Sequence, residues 1–143
     1  MDKRIVAELQ ADGRRSYTAI AEAVGLSEAA ARQRVRRLIE AGTVQIVGVT
    51  DPLQVGFHRQ AMIGIRVDGD LGVVADKLAS IPEIDYVVVC AGSFDLIIEV
   101  VCEDDDRLLS LLNEGIRSIA GIRDTETFVY LKLIKQTYSW GTR

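Results

Sequence analysis

Histidine is almost missing from this chain: among 143 residues there is one, His58. Triads built on histidine and multi-histidine metal centres therefore have little to work with. Cysteine is nearly as scarce. Cys90 and Cys102 sit inside apolar runs without metal-ligand spacing, which reads as buried thiols and not as a disulfide, a zinc site or a nucleophile. Long hydrophobic runs are missing too. None approaches the roughly 18 residues of a membrane span, and the opening MDKRIVAELQ is amphipathic, unlike a signal peptide. The expectation is a cytoplasmic protein, not an enzyme, with no metal, cofactor or membrane.

Apolar residues are plentiful, at 48% of the chain, which excludes a solvated, disordered polymer. Two small domains have poor surface-to-volume ratios, so this content implies that another subunit covers part of the surface. The formal net charge is -4, but it is unevenly spread. Residues 1–50 carry eight Lys/Arg against six Asp/Glu, and the rest carry nine against fifteen. A polyanion needs local positive potential, not a basic whole protein, so the first third is where to look for one.

The stretch GLSEAAARQRVRRLIEAG concentrates Arg32, Arg34, Arg36 and Arg37. Helical spacing predicts a first helix from Asp2 to about Ala11, broken at Asp12-Gly13. Ser16 caps a second over Thr18 to Val24, which Gly25 ends in the left-handed conformation. Ser27 caps a third that runs to Ala41 and stops at Gly42. Two short helices joined through Gly25-Leu26-Ser27 form a helix-turn-helix, whose second helix enters the DNA major groove. Projected at 100° per residue, Ala31, Val35, Leu38 and Ile39 make its buried face. Ala29, Ala30, Gln33, Arg36 and Arg37 fall opposite, with Arg34 on one flank and Arg32 nearer the core edge. The plainer alternative is a solvated helix whose arginines pair with Glu28 and Glu40.

Thr43–Val49 alternates weakly as a short strand, and Thr50-Asp51-Pro52 begins a linker. Beyond it the alternation Ala61, Ile63, Ile65, Val67 predicts a strand. Val74, Leu78 and Ile81 predict a helix ended by Pro82. Tyr86–Ala91 and Phe94–Val101 are apolar strands, joined by Gly92-Ser93 read as a two-residue hairpin turn. Leu108, Leu112, Ile116 and Ile119 predict a second helix; Thr125, Thr127, Val129, Leu131 and Leu133 share one face of a last strand. The order β-α-β-β-α-β is the ferredoxin-like arrangement, with both helices on one face of a four-stranded antiparallel sheet. The open face requires a second copy. The predicted class is α+β, with a helix-turn-helix (winged-helix-like) domain at 1–49, a linker at 50–58 and a ferredoxin-like effector and oligomerisation domain at 59–143.

In this order the chain resembles the Lrp/AsnC (feast/famine) transcriptional regulators over essentially its whole length. DKRIVAELQADGR, SYTAIAEAVGLS and RQRVRRLIEAG, including Arg34-Val35, are similar to the family's helix-turn-helix. VTDPLQVGF is similar to its linker, and AGSFDLIIEV to its signature of glycine, any residue, aromatic and aspartate at Gly92, Phe94 and Asp95. Two departures stand out. Ala19 occupies a position that often holds Glu or Gln, so Ser16 has no capping-box partner, and Phe94 lacks the hydroxyl of the more usual Tyr.

The resemblance implies a sequence-specific regulator of double-stranded DNA whose binding or assembly responds to a small-molecule effector, an amino acid. It also implies homodimers joined into octamers or other assemblies. Ser27, Ala29, Ala30, Gln33, Arg34, Arg36 and Arg37 are then the DNA-contacting set, because guanidinium groups hold phosphate or the guanine edge and glutamine pairs the adenine edge. The effector set is Ala91, Gly92, Ser93, Phe94 and Asp95 with Thr125 and Thr127, Asp95 accepting from an ammonium and backbone amides donating to a carboxylate. Asp95 as a turn cap and the two threonines as cross-strand packing are the structural alternatives. The run Glu103-Asp104-Asp105-Asp106 caps the following helix and does not build a cation site. His58 receives no role. An architectural DNA-binding protein without effector, or an enzyme on an Lrp-like fold, are the competing readings.

Overall fold

The computed structural model describes residues 1–138 and Gly141. Two compact units divide the chain: one comprises Met1–Val49 together with the segment from Ile134, the other Thr50–Leu133. The segment from Ile134, which the sequence reading carries with the second domain, thus groups with the helices; Tyr138 lines a hollow there with Val6, Leu9, Val44 and Ile46.

The first unit has three helices, α1 (Asp2–Ala11), α2 (Tyr17–Val24) and α3 (Glu28–Glu40). Their ends follow from local chemistry. The Ser16 hydroxyl accepts from the Ala19 amide and the Ser27 hydroxyl from the Ala30 amide, each satisfying one of the donors a helix start leaves orphaned. Gly25 closes α2 at φ 74°, a conformation that costs a glycine almost nothing. Ile5, Leu9, Ile20, Ala21, Val24, Ala31 and Val35 form the core, with Leu26, Leu38 and Val44 at its edge. Each fully buried aliphatic here stabilises by about 1.5–3 kcal/mol, so so small a core depends on every member.

Two expectations fail in this unit. Ile39 is 42% exposed, because the last turn of α3 overhangs a core that three short helices cannot extend past Leu38. Thr43–Val49 forms no strand: the Thr43 and Val44 amides turn back to the Leu38 carbonyl, among the described residues no strand pairs with the segment, and Ile46, Val47 and Val49 stay exposed.

In the second unit a short 3₁₀ turn (Pro52–Val55), capped by Asp51, leads into β1 (Arg59–Val67), α4 (Leu71–Ala79), β2 (Ile84–Val89), β3 (Leu96–Cys102), α5 (Asp105–Ser110) and β4 (Ile122–Val129). The sheet order is β2-β3-β1-β4, all neighbours antiparallel, which is the predicted ferredoxin-like arrangement. The alternation that marked the strands places Ala61, Ile63, Ile65, Leu96, Ile98, Val100 and Cys102 in a core closed by Val74, Leu78, Leu108, Leu111 and Ile116 from the helices. Burial pushes the Cys102 thiol up from its ordinary value; Cys90 is only half-buried.

After α5 the chain continues as a π-helical turn, Leu111–Ile116. The wider turn shifts the helical phase, so Leu108, Leu111 and Ile116 are buried where the sequence spacing chose Leu108, Leu112, Ile116 and Ile119. Asp104 caps α5 by accepting from the Arg107 amide at 2.8 Å, and Asp105 pairs with Arg59, which holds its carboxyl below the usual range. The last strand stops at Val129; Leu131 lies beyond it, 97% exposed.

The sheet face opposite α4 and α5 carries Met62, Tyr86, Ile97 and Phe128. Glu99 lies among them and accepts a hydrogen bond from the Tyr130 hydroxyl; burial first, then this bond, pushes the Tyr130 pKa up to about 12.

Candidate nucleic-acid interface and effector loop

The surface of α3 is set by its caps and core. Burying Ala31 and Val35 turns Ala29 and Gln33 outward at the N-terminal half, with Ala30 half-buried beside them, and Arg32, Arg36 and Arg37 along the exposed side. Glu28, Ala29, Arg32, Gln33 and Arg36 line a shallow, open groove along the helix. Small side chains at this end leave the helix backbone close to whatever it lies against.

Ion pairing sorts the arginines in a way that helical projection could not. Arg32 pairs with Glu28 at 2.7 Å and stacks over the Tyr17 ring at 5.3 Å, which ties it to the α2 side of the motif. Arg34 is half-buried and reaches Asp2 of α1 at 2.8 Å. Arg36 pairs with Glu40 at 2.6 Å, a bond that raises its pKa still further above an already high value. Arg37 has no carboxylate partner among the described residues. The pairs are exposed and weak, so phosphate can displace the carboxylates, but Arg37 alone needs no exchange. Glu28 also accepts from the Thr18 hydroxyl at 3.0 Å, which fastens α3 to α2 in place of the missing capping box.

The second set gathers around the connection between β2 and β3. Gly92-Ser93 is not a two-residue hairpin turn: Val89 pairs with Leu96, Cys90 donates to the Asp95 carbonyl, and residues 91–94 form a wider loop. Gly92 has no positive φ, which the tight turn would demand. Among the described residues nothing accepts from the amides of Ala91, Gly92, Ser93 or Phe94. Asp95 is bound on both sides. Its amide donates to the Ile65 carbonyl at 2.9 Å, and its carboxylate accepts from the Val67 amide at 2.8 Å, where the β1–β4 register slips between Arg66 and Val67. It therefore braces the loop against β1, whatever else its remaining lone pairs accept.

Phe94 lies on the open face of the sheet. Gly64 makes room for it, since a Cβ at Gly64 would sit 2.6 Å from the ring. The Arg66 guanidinium covers it at 4.5 Å and Phe128 meets it edge-on at 6.3 Å. Thr125 and Thr127 are elsewhere: they pair across from Ile65 and Ile63 and share the helix-covered face, where the Thr125 hydroxyl accepts from Arg117 at 3.2 Å. Within the protomer the fold does not bring them to Phe94. Asp124, Glu126 and Phe128 alternate onto the face that Phe94 occupies. Sequence reasoning missed Gly64, Arg66, Asp124 and Phe128; the available signal was a glycine inside an alternating strand, which marks a close approach.

Comparison with known proteins decides the family. Residues 1–39 match an AsnC-type helix-turn-helix domain, and residues 57–143 match an AsnC-type C-terminal dimeric alpha+beta barrel domain. The chain belongs to the AsnC family of transcriptional regulators. An uncharacterised HTH-type transcriptional regulator of Pyrococcus furiosus is 32% identical over 141 residues, 97% of this chain and 95% of its own. FL11, an HTH-type transcriptional regulator of Pyrococcus horikoshii, is 32% identical over 96% of this chain and 91% of its own. Among solved structures, E. coli AsnC superposes with a TM-score of 0.84 at 27% identity, covering 96% of this chain and 95% of that one. A transcriptional regulator from Neisseria meningitidis, solved as a complex with L-Met, gives 0.87 at 26% identity, covering 96% and 92%. Both halves of this AsnC-family chain therefore have counterparts of the same kind.

Proposed function

We propose that this AsnC-family regulator binds specific double-stranded DNA through α3 and that an amino acid, bound at the 91–95 loop, alters its DNA binding or assembly. The observation that carries the DNA reading is the exposed face of α3, with small residues and Gln33 at its N-terminal half and Arg36 and Arg37 behind them. Arg34, Arg36 and Arg37 hold phosphate or guanine, and Gln33 with Ala29 and Ala30 faces the bases, while Ser27 fixes the start of the helix. Two copies of the chain present two such helices to half-sites one helical turn, or a multiple of it, apart. On this reading dimers join into octamers and the protein works in the cytoplasm, not as an enzyme; its relatives' descriptions as HTH-type transcriptional regulators support the regulatory role alone.

The effector reading is supported by four neighbouring amides without acceptors at Ala91 to Phe94, a donor set that suits a carboxylate, and by the L-Met complex of the Neisseria relative. Asp95 supplies the negative charge beside them for an ammonium. Thr125 and Thr127 complete the set only if a neighbouring protomer contributes them.

Fluorescence-anisotropy titration onto DNA from upstream of its own gene, against scrambled DNA, with and without the twenty amino acids, tests both parts. The reading requires tighter binding to the native sequence and a shift when the amino acids are present. Equal binding to both DNAs, unmoved by the pool, would instead establish an architectural protein.

A further inference from the structure

Arg66 stands beside the loop and is used by neither the DNA nor the effector chemistry. It sits on β1 at the end of the outward-facing series Met62, Gly64, Arg66, half-buried, and makes three contacts at once. Its Nε donates to the Ser93 carbonyl at 2.9 Å, its Nη1 to Asp124 at 2.5 Å, and its guanidinium plane covers the Phe94 ring at 4.5 Å. Beneath that ring lies Gly64, with no Cβ to lift it from the strand. Phe94 is thus held between backbone below and a planar cation above, with Phe128 against its edge. Asp124 keeps the cation in place and is itself bonded by Arg123, which reaches on to Asp68. The clamp spans three elements: β1, the 91–95 loop and β4.

We infer that Arg66 is a positioning residue for the effector loop, pinning the Ser93 carbonyl and the Phe94 ring to β1 so that the amides of Ala91 to Phe94 are held ready for a carboxylate. The inference rests on the effector reading given above and deepens it. It also accounts for Phe94 in place of tyrosine: the ring serves here as the surface the guanidinium stacks on, a role that needs no hydroxyl. A lysine at position 66 would keep the charge opposite Asp124 but lose the planar stack and the geometry that lets one group serve Ser93 and Asp124 together.

Hydrogen–deuterium exchange of the full-length protein, wild type against Arg66→Lys, Arg66→Ala and Gly64→Ala, reads the loop without any ligand. The expected result is that the two hydrogen-bonded amides of the loop, Cys90 to the Asp95 carbonyl and Asp95 to the Ile65 carbonyl, exchange at least about tenfold faster in all three variants while those of α4 and β3 keep their wild-type protection. Calorimetry with L-methionine and then each other amino acid reads the consequence: the affinity found for wild type falls at least about tenfold in Arg66→Lys and Arg66→Ala, with DNA affinity in the absence of amino acid unchanged. Wild-type exchange in the loop of Arg66→Lys and Arg66→Ala, or wild-type amino-acid affinity in both, overturns the inference. If wild type itself binds none of the twenty, the effector reading falls and the role assigned to Arg66 falls with it, whereas loss of binding confined to the Arg66 variants upholds both.

Discussion

Gly64→Ala measures the close approach of Phe94 to the sheet. The added Cβ would lie 2.6–2.7 Å from three ring atoms of Phe94, nearly an ångström inside ordinary contact, and the strand backbone below cannot yield. The ring must leave, and three contributions go with it: the edge-on contact with Phe128, about 0.5–1.5 kcal/mol; the stacking of Arg66, about 0.5–1 kcal/mol for a half-exposed pair; and part of the ring's buried area. Against this stands a gain of roughly 0.5–1 kcal/mol from replacing glycine within a strand. The net expectation is a loss of about 1–3 kcal/mol in chemical denaturation, within the range for overpacked sites. A double-mutant cycle isolates the cause. In a Phe94→Ala background the ring is gone, so Gly64→Ala should become neutral or mildly stabilising. An equal cost in both backgrounds would place the penalty in the strand itself and not in the approach of the Phe94 ring.

Other consequences follow from the same contacts. Gly25→Ala meets no neighbouring atom but forces an L-residue to φ 74°, so it should destabilise the helical unit by about 1–2 kcal/mol in thermal melts, without altering the core. Glu40→Gln removes the carboxylate that competes for Arg36; DNA affinity should rise severalfold at low salt, read by anisotropy, and unchanged or weaker binding would show that Arg36 faces no phosphate. Asp124, bonded first by Arg123 and then by Arg66, has its pKa lowered from 3.8. A depressed carboxylate contributes stability that is complete above its unfolded value and lost as pH falls through the folded one. The stabilisation from the Arg66 contact to β4 should therefore be complete at pH 5 and erode as pH falls below the ordinary aspartate range towards the lowered folded value, and Asp124→Asn should flatten that step in acid melts.

Much of this was legible in the sequence because it rests on local rules. Serine before a helix, glycine after one, and period-two alternation each act over a few residues, and they returned the helix ends at Ser16, Gly25 and Ser27 and the buried faces of β1 and β3. What stayed hidden depends on partners distant in the chain. Nothing near Arg34 announces Asp2, and nothing near Phe94 announces Gly64 and Arg66, which the topology brings from the neighbouring strand. Thr125 and Thr127 were grouped with the loop through family resemblance, yet their register against Ile65 and Ile63 settles which face they share. The exposure of Ile39 and the unpaired state of Thr43–Val49 follow from how small the helical core is, a quantity that periodicity does not carry. The π turn shows the same limit: one extra residue in a turn rephases every position after it.

On the proposed reading, α3 is the surface that meets DNA. The direct measurement is the salt dependence of binding to upstream DNA by wild type and by an Arg34→Ala, Arg36→Ala, Arg37→Ala variant shown by circular dichroism and sedimentation to be folded and in the same assembly. With three arginines on each of two helices engaged, log K should fall with log salt at a slope of about -5, and the variant should bind far more weakly with a much shallower slope. A folded variant that binds with wild-type affinity and slope would contradict the account and leave α3 a solvated face.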